Sequence, residues 1–190
     1  MPRAGLNRDL VVQEAAGFAD DQGYDQLTLS ALADRIGIRP PSLYKHVDSL
    51  DDLRLALAFY AYRRLQESLE TALDDTEHPL VTFSNAYRDF ATTHPGLVAS
   101  TVRVLPGHEK ELADAEAGAV EPLLAVIRTY GITNPTTTTH LARLVRSALH
   151  GFVTIEAAQG FQRPESIDES FGAVIGALDL VLTHHGSQQP

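Results

Sequence analysis

Apolar residues recur three and four positions apart along nearly the whole chain, and no stretch alternates apolar and polar residues as a half-buried strand does. Val11, Ala15 and Phe18 form the first apolar stripe, which predicts a helix that ends near Gly23. Segments rich in proline, glycine and polar residues separate the later stripes. The pattern predicts an all-α protein of about nine helices.

Two short helices are predicted next, joined by a tight turn. Thr28 is placed to cap the first of them, and Gly37 suits the left-handed position that ends a helix. Pro40 and Pro41 suit the first turn of the second, which we expect to run to about Val47. Two short helices in this arrangement have the proportions of a helix-turn-helix.

A longer helix follows the pair. Ser49 is placed as its N-cap, and Asp52 stands where a capping box prefers Glu or Gln. We therefore predict a three-helix helix-turn-helix domain over residues 1–50 and a connecting helix over residues 50–73. After a polar break, about five more helices are predicted to form a larger C-terminal domain over residues 78–186.

The charge is unevenly distributed between these two parts. The whole chain has a formal net charge of -10 at pH 7, of which residues 1–64 contribute -1 and residues 65–190 contribute -9. The C-terminal part would repel a polyanion. In the N-terminal part, the placement of individual charges decides what the surface binds.

Several classes of protein are excluded by what the sequence lacks. It has no cysteine, which excludes disulfides and cysteine-bound metals. It has neither an apolar run of the roughly 18 residues that span a bilayer nor the apolar core of a signal peptide, so we expect a cytoplasmic protein without membrane contact. The segment HEKEL, residues 108–112, lacks the second histidine of a zinc-protease helix. We therefore expect no enzyme activity, no metal and no cofactor.

The second short helix carries the side chains that suit DNA. Leu43 and Val47 are four residues apart and must face inward, so Tyr44, Lys45 and His46 cannot all be buried. Tyr44 and Lys45 suit contacts to phosphates, which fix register without reading sequence. The alternative is a small packing unit whose polar residues are merely solvated.

The N-terminal end of a recognition helix does most of the base reading in the major groove. In this chain that end carries Arg39, Pro40, Pro41 and Ser42. We expect Arg39 to contact a guanine or a phosphate.

The string LTLSALADRIGIRPPSLYKHV, residues 27–47, followed by a long leucine-bearing helix, resembles the N-terminal domain of the tetracycline-repressor (TetR) family of bacterial transcription regulators. The resemblance covers about residues 8–60. It implies that operator DNA is touched at Thr28, Arg39, Pro41, Ser42, Tyr44, Lys45 and His46. His46 has a second interpretation, as a residue that packs at the helix end.

Two further apolar stripes lie in the last long helices, and either stripe suits a dimer contact or the chain's own core. The resemblance to the TetR family favours a homodimer built as an intermolecular four-helix bundle. The candidate dimer residues are Phe152, Ile155, Phe171, Val174, Leu178 and Val181. The segment SALHGFVTIEAAQGF, residues 147–161, also resembles a C-terminal subtype of the family marked by Trp-His-Gly (WHG), with Leu149 in place of the Trp.

A ligand cavity between the C-terminal helices is a further expectation, because pockets form between the helices of bundles. Aromatic bulk, or a polar tip in apolar surroundings, selects the candidates Tyr87, Phe90, His94, Leu105, Tyr130 and His150. For each of them the alternative is a place in an ordinary core, which is the more common role of an aromatic residue or a buried histidine.

These features predict a ligand-responsive, homodimeric DNA-binding regulator, most simply a repressor, that binds a near-palindromic double-stranded operator and is released by a small-molecule effector. Two alternatives remain at this stage. One is a helical small-molecule carrier or partner-binding protein without DNA binding, and the other is an all-α enzyme.

Overall fold

The computed structural model describes residues 5–74 and 76–188, and every regular element in them is helical. The α-helices, α1 to α8, are Arg8–Gln22, Leu29–Ile36, Leu50–Leu73, Pro79–Thr93, Pro95–Thr101, Glu109–Thr129, Pro135–Ala157 and Ile167–Ser187. Two short 3-10 helices, Tyr24–Gln26 and Pro40–Lys45, complete the described parts. The prediction of an all-α fold is confirmed.

The chain folds as two compact units, each made from two stretches of sequence. The first unit comprises the described residues up to Arg64 together with Thr93–Gly118, and the second comprises Leu65–Thr92 and the described residues from Ala119 onward. The domain boundaries expected from the sequence, 1–50, 50–73 and 78–186, stay a prediction. Residues 1–4, at the start of the first predicted domain, lie outside the described residues. So does residue 75, which is part of the polar break between the two predicted domains.

The local signals in the first unit are confirmed. The Thr28 hydroxyl accepts the N–H of Ala31 at 3.1 Å and so caps α2, which ends at Gly37 in the left-handed conformation, with φ 77°. α1 ends at Gly23, whose φ is 93°. The Ser49 hydroxyl accepts the N–H of Asp52 at 3.0 Å, as an N-cap of α3 does.

The third predicted helix needs correction in both type and length. It is a 3-10 helix, Pro40–Lys45, rather than a longer helix that reaches Val47. The carbonyl of Leu43 accepts the N–H groups of both His46, at 2.8 Å, and Val47, at 3.0 Å, so the last turn tightens and stops. Leu43 and Val47 are buried as expected and anchor this segment to the core of the unit.

α5 belongs to the first unit and packs on α1. Oδ1 of Asp20, near the end of α1, accepts the backbone N–H groups of Gly96 at 2.8 Å and Leu97 at 3.2 Å. Its Oδ2 lies 3.0 Å from Nδ1 of His94. Gly96 approaches the backbone of Ala19 so closely that a Cβ atom would overlap it.

In the second unit, Arg88 connects three helices. Its guanidinium donates from Nε to Glu156 of α7 at 2.9 Å and from Nη1 to Asp168 of α8 at 2.8 Å. It also lies over the ring of Phe171, with 4.8 Å between the guanidinium carbon and the ring centre. Arg88 therefore fixes α4 against the buried side of the α7–α8 pair.

None of the described helices combines the length and the apolar character that a bilayer span needs.

Candidate nucleic-acid interface

Seven of the eight predicted DNA-contact residues lie in the connection between α2 and α3, and the eighth, Thr28, caps the start of α2. Five of them are exposed: Thr28, Arg39, Pro41, Tyr44 and Lys45. Pro40, Ser42 and His46 are partly buried. Tyr44 has 57% of its surface exposed even though it is a large aromatic residue, because its neighbour Leu43 takes the inward position.

Some of the cationic side chains near this connection are paired with carboxylates, and two of those that the structure describes are not. Within the described residues, neither Arg39 nor Lys45 has a carboxylate partner. Arg35, by contrast, is bound to Asp21 at 2.7 Å and to Glu14 at 3.6 Å. The uncompensated positive charge therefore lies at the two ends of the 3-10 helix.

Arg8 is a residue of this site that sequence reasoning missed. Its Nη1 donates to the carbonyl of His46 at 2.8 Å and to Oδ2 of Asp52 at 2.9 Å, and its Nη2 donates to Oδ1 of Asp52 at 2.6 Å. Hydrogen bonding to Arg8 lowers the pKa of Asp52, so that carboxylate stays ionised. No local pattern connects two residues that lie 44 positions apart.

Two of the ligand candidates meet in the second unit. The Tyr87 hydroxyl lies 3.0 Å from Nδ1 of His150. Burial raises the pKa of Tyr87 to about 12, and burial followed by the charge of Arg146 lowers the pKa of His150. One turn before Tyr87, Ser84 is fully buried, and its Oγ has no hydrogen-bond partner among the described residues.

The other candidates are placed separately. Phe90 is buried in the second unit. Tyr130, in the same unit, donates to Asp179 at 2.6 Å and lines a groove of about 470 Å³. His94 and Leu105 belong to the first unit, where His94 is bound to Asp20 and Leu105 is buried.

The dimer candidates divide into two groups. Phe152, Phe171 and Leu178 fill the core of their own unit, which is the alternative that the stripes left open. Val174 and Val181 are partly buried, and Ile155 has 45% of its surface exposed.

A row of small and apolar residues lies next to the buried stripe of each of α7 and α8. We call the two rows together the α7–α8 face. Leu144, Ile155, Ala173, Ala177 and Leu180 of this face are exposed, and Ala148 and Gly151 are partly buried. Leu180 has 72% of its surface exposed and Leu144 has 44%. The signal that reveals this face is a second row of apolar and small residues, offset from the buried row by a fraction of a turn.

Family models match both parts of the chain. Residues 12–57 match the model described as bacterial regulatory proteins of the tetR family. Residues 80–178, more than half of the chain, match the model of the tetracycline-repressor-like C-terminal domain. The chain belongs to the TetR family.

Two helix-turn-helix transcriptional regulators that are similar to the chain agree with this assignment. The chain is 37% identical over 160 residues to an uncharacterised helix-turn-helix transcriptional regulator of Mycobacterium tuberculosis, Rv0681, a match that covers 80% of this chain and 71% of the relative. It is 31% identical over 171 residues to YobS, another uncharacterised regulator of this type, from Bacillus subtilis. This match covers 89% of this chain and 88% of the relative. The prediction of a DNA-binding transcriptional regulator is confirmed.

Solved structures share the TetR-family fold. A protein of unknown function from Rhodococcus has a TM-score of 0.77 and 23% identity, over 95% of this chain and 97% of that one. BioQ, solved with its double-stranded DNA operator, has a TM-score of 0.67 and 23% identity, over 95% of this chain and all of the other. At this identity the likeness concerns the fold.

Proposed function

We propose that this TetR-family regulator is a cytoplasmic repressor that binds a near-palindromic operator as a homodimer and is released by a small molecule. The observation that carries the DNA part is the pair of exposed cations, Arg39 and Lys45, at the two ends of the 3-10 helix, neither of which has a carboxylate partner in the part of the chain that the structure describes. The chain is otherwise strongly acidic, so this placement concentrates its attraction for phosphates at one surface.

The side chains around the turn divide into base contacts and phosphate contacts. Arg39 precedes the 3-10 helix and is placed to reach a base edge in the major groove, with guanine as the preferred partner. Lys45 and the hydroxyl of Tyr44 lie at the other end, where they suit phosphates. Thr28 caps α2 through its hydroxyl and is itself exposed. BioQ, a protein of similar fold, was solved with its double-stranded DNA operator, which supports double-stranded DNA as the partner of this chain.

The homodimer is supported by the α7–α8 face. Apolar side chains as exposed as Leu144 and Leu180 lose their contact with water when a second copy covers them. Two copies on one duplex multiply the affinity of two weakly cationic modules. Their recognition segments, which we define as Arg39–His46, would then meet successive major grooves about 34–36 Å apart.

The effector is proposed to bind in the second unit near Tyr87, Ser84 and His150. The support is a cluster of polar groups beside an apolar core, in which the Ser84 hydroxyl has no hydrogen-bond partner among residues 5–74 and 76–188. An effector that releases DNA must bind two states of the protein with different affinity. We also propose the WHG subtype for the C-terminal domain, on the run Leu149-His150-Gly151.

The proposal is tested by selecting bound sequences from random duplex DNA and then measuring affinity for the recovered duplex at several salt concentrations. Lys45→Ala should weaken binding to all duplexes alike and reduce the salt slope by about 1, whereas Arg39→Ala should relax the base preference at one position. Arg163→Ala, which removes an exposed charge from the second unit, is the matched control. If the wild-type protein bound no duplex DNA even at low salt, that result would contradict DNA binding and favour a helical small-molecule carrier.

A further inference from the structure

Arg8, the first residue of α1, connects the two sides of the turn that follows the recognition segment. The carbonyl that it binds belongs to His46, the residue that ends the 3-10 helix. The carboxylate that it binds belongs to Asp52, in the first turn of α3. We call this arrangement the Arg8 bridge: the Arg8 guanidinium, the His46 carbonyl and the Asp52 carboxylate.

The turn itself is closed by the same carboxylate. Oδ2 of Asp52 accepts the backbone N–H of Asp48 at 2.9 Å, while the N–H of Asp52 donates to the Ser49 hydroxyl at 3.0 Å. The Asp52 side chain therefore holds α1, the turn and the start of α3 in one hydrogen-bonded group. Guanidinium–carboxylate pairs with two parallel bonds fix geometry as well as adding energy.

The negative charge of Asp52 could affect DNA binding in two opposite ways. A carboxylate near the candidate DNA-contact residues repels phosphates, so its removal should strengthen DNA binding if charge alone mattered. Arg8 would gain the freedom to contact a phosphate at the same time. If the carboxylate instead holds the recognition segment in place, its removal should weaken DNA binding.

We propose that Arg8 and Asp52 are positioning residues for DNA recognition, which hold the 3-10 helix at a fixed angle between α1 and α3. The proposal rests on the placement of DNA at Arg39–His46. The pair is partly exposed, with 46% of the Arg8 side chain and 24% of the Asp52 side chain accessible, and exposed pairs contribute little to folding stability. The effect of the bridge should therefore be larger on DNA affinity than on unfolding.

The test compares Asp52→Asn with Asp51→Asn, measured on the duplex recovered by selection with the wild-type protein. Asp51 lies one residue earlier in α3, is exposed and has a distant partner, Arg54, at 3.7 Å. Both variants remove one negative charge from the same turn. Asp52→Asn should weaken binding by about threefold to tenfold, and Asp51→Asn should leave it unchanged or strengthen it by about twofold.

A double-mutant cycle separates positioning from a direct phosphate contact of Arg8. If the bridge is the working unit, Arg8→Met and Asp52→Ala together should weaken binding about as much as either change alone. Arg8→Lys keeps the charge but lacks the planar fork that makes two parallel bonds to the Asp52 carboxylate, so it should behave like Arg8→Met. Thermal melts of all variants should stay within a few degrees of the wild type, which shows that the fold is retained.

Two results would overturn the inference. One is an Asp52→Asn variant that binds the selected duplex as well as or better than the wild type, and the other is full activity of Arg8→Lys. Failure of the wild-type protein to bind any duplex would instead contradict the proposed function, so the two failures are distinguishable.

Discussion

The carboxylate of Asp20, on α1, accepts the backbone N–H of Gly96 at the start of α5, at 2.8 Å. A second N–H, from Leu97, shares the same oxygen at 3.2 Å. The free N–H groups of α5 are thus satisfied by a side chain from another helix rather than by a neighbour in sequence. This arrangement ties α5 to α1 within the first unit, which includes Thr93–Gly118.

Replacement of Asp20 by Ala should lower the free energy of unfolding by about 1–2 kcal/mol, because the change leaves two helix N–H groups without an acceptor. The measurement is chemical denaturation followed by circular dichroism. Asp34→Ala, on the exposed side of α2, is the matched control and should change stability by less than about 0.5 kcal/mol. Equal effects of the two changes would contradict the capping role.

Gly96→Ala should lower the free energy of unfolding by about 1–3 kcal/mol, because the new methyl group would overlap backbone atoms of Ala19 that cannot move independently. Gly172→Ala in α8 is the control, since a Cβ at that position meets no atom within 4 Å. That change should be neutral or should stabilise the protein by up to about 1 kcal/mol. The readout is the denaturation midpoint of each variant against the wild type.

His150 should make the protein less stable in acid. Burial lowers its pKa below the ordinary value of 6.5, so the unfolded chain binds a proton more readily than the folded one. Stability should therefore fall as the pH is lowered through about 6.5 and below, and it should be unaffected by His150 above that range. Denaturation of the wild type and of His150→Gln between pH 7.5 and 5.5 tests this, and the variant should show the smaller loss.

Leu180→Glu should break the proposed dimer, because a carboxylate on the α7–α8 face would be buried without a partner between two copies. Val104→Glu is the control, since Val104 has 75% of its surface exposed but lies in the first unit. Sedimentation equilibrium should give half the wild-type mass for Leu180→Glu and the full mass for Val104→Glu. A wild-type protein that sediments as a monomer would contradict the dimer.

Much of the fold was predictable because its signals are local. The caps at Thr28 and Ser49 and the left-handed Gly37 each depend on residues within one turn of the helix that they begin or end. The shift from a longer helix to a 3-10 helix at Pro40–Lys45 was not predictable, since both satisfy the same inward spacing of Leu43 and Val47.

The parts of the site that sequence failed to predict depend on distant pairs. The sequence gives no sign that Arg8 contacts Asp52, because the two residues are 44 positions apart. The same holds for Asp20 and Gly96, which are 76 positions apart. An apolar stripe shows that one side of a helix is covered but not what covers it. For that reason the positions of Phe171 and Leu178 in the sequence suited both a partner chain and the core in which they lie.

The closure of α1 by α5 has a consequence for attempts to shorten the protein. A fragment that stopped at Arg64 would keep every candidate DNA-contact residue. It would nevertheless expose the backbone of Ala19, which Gly96 covers, to water. The Asp20 carboxylate would lose the N–H of Gly96, and the Tyr62 hydroxyl would lose the carbonyl of Thr101. The unit that carries the candidate DNA-contact residues is therefore assembled from two stretches of the polypeptide. We do not expect its N-terminal stretch to bind DNA as an isolated fragment.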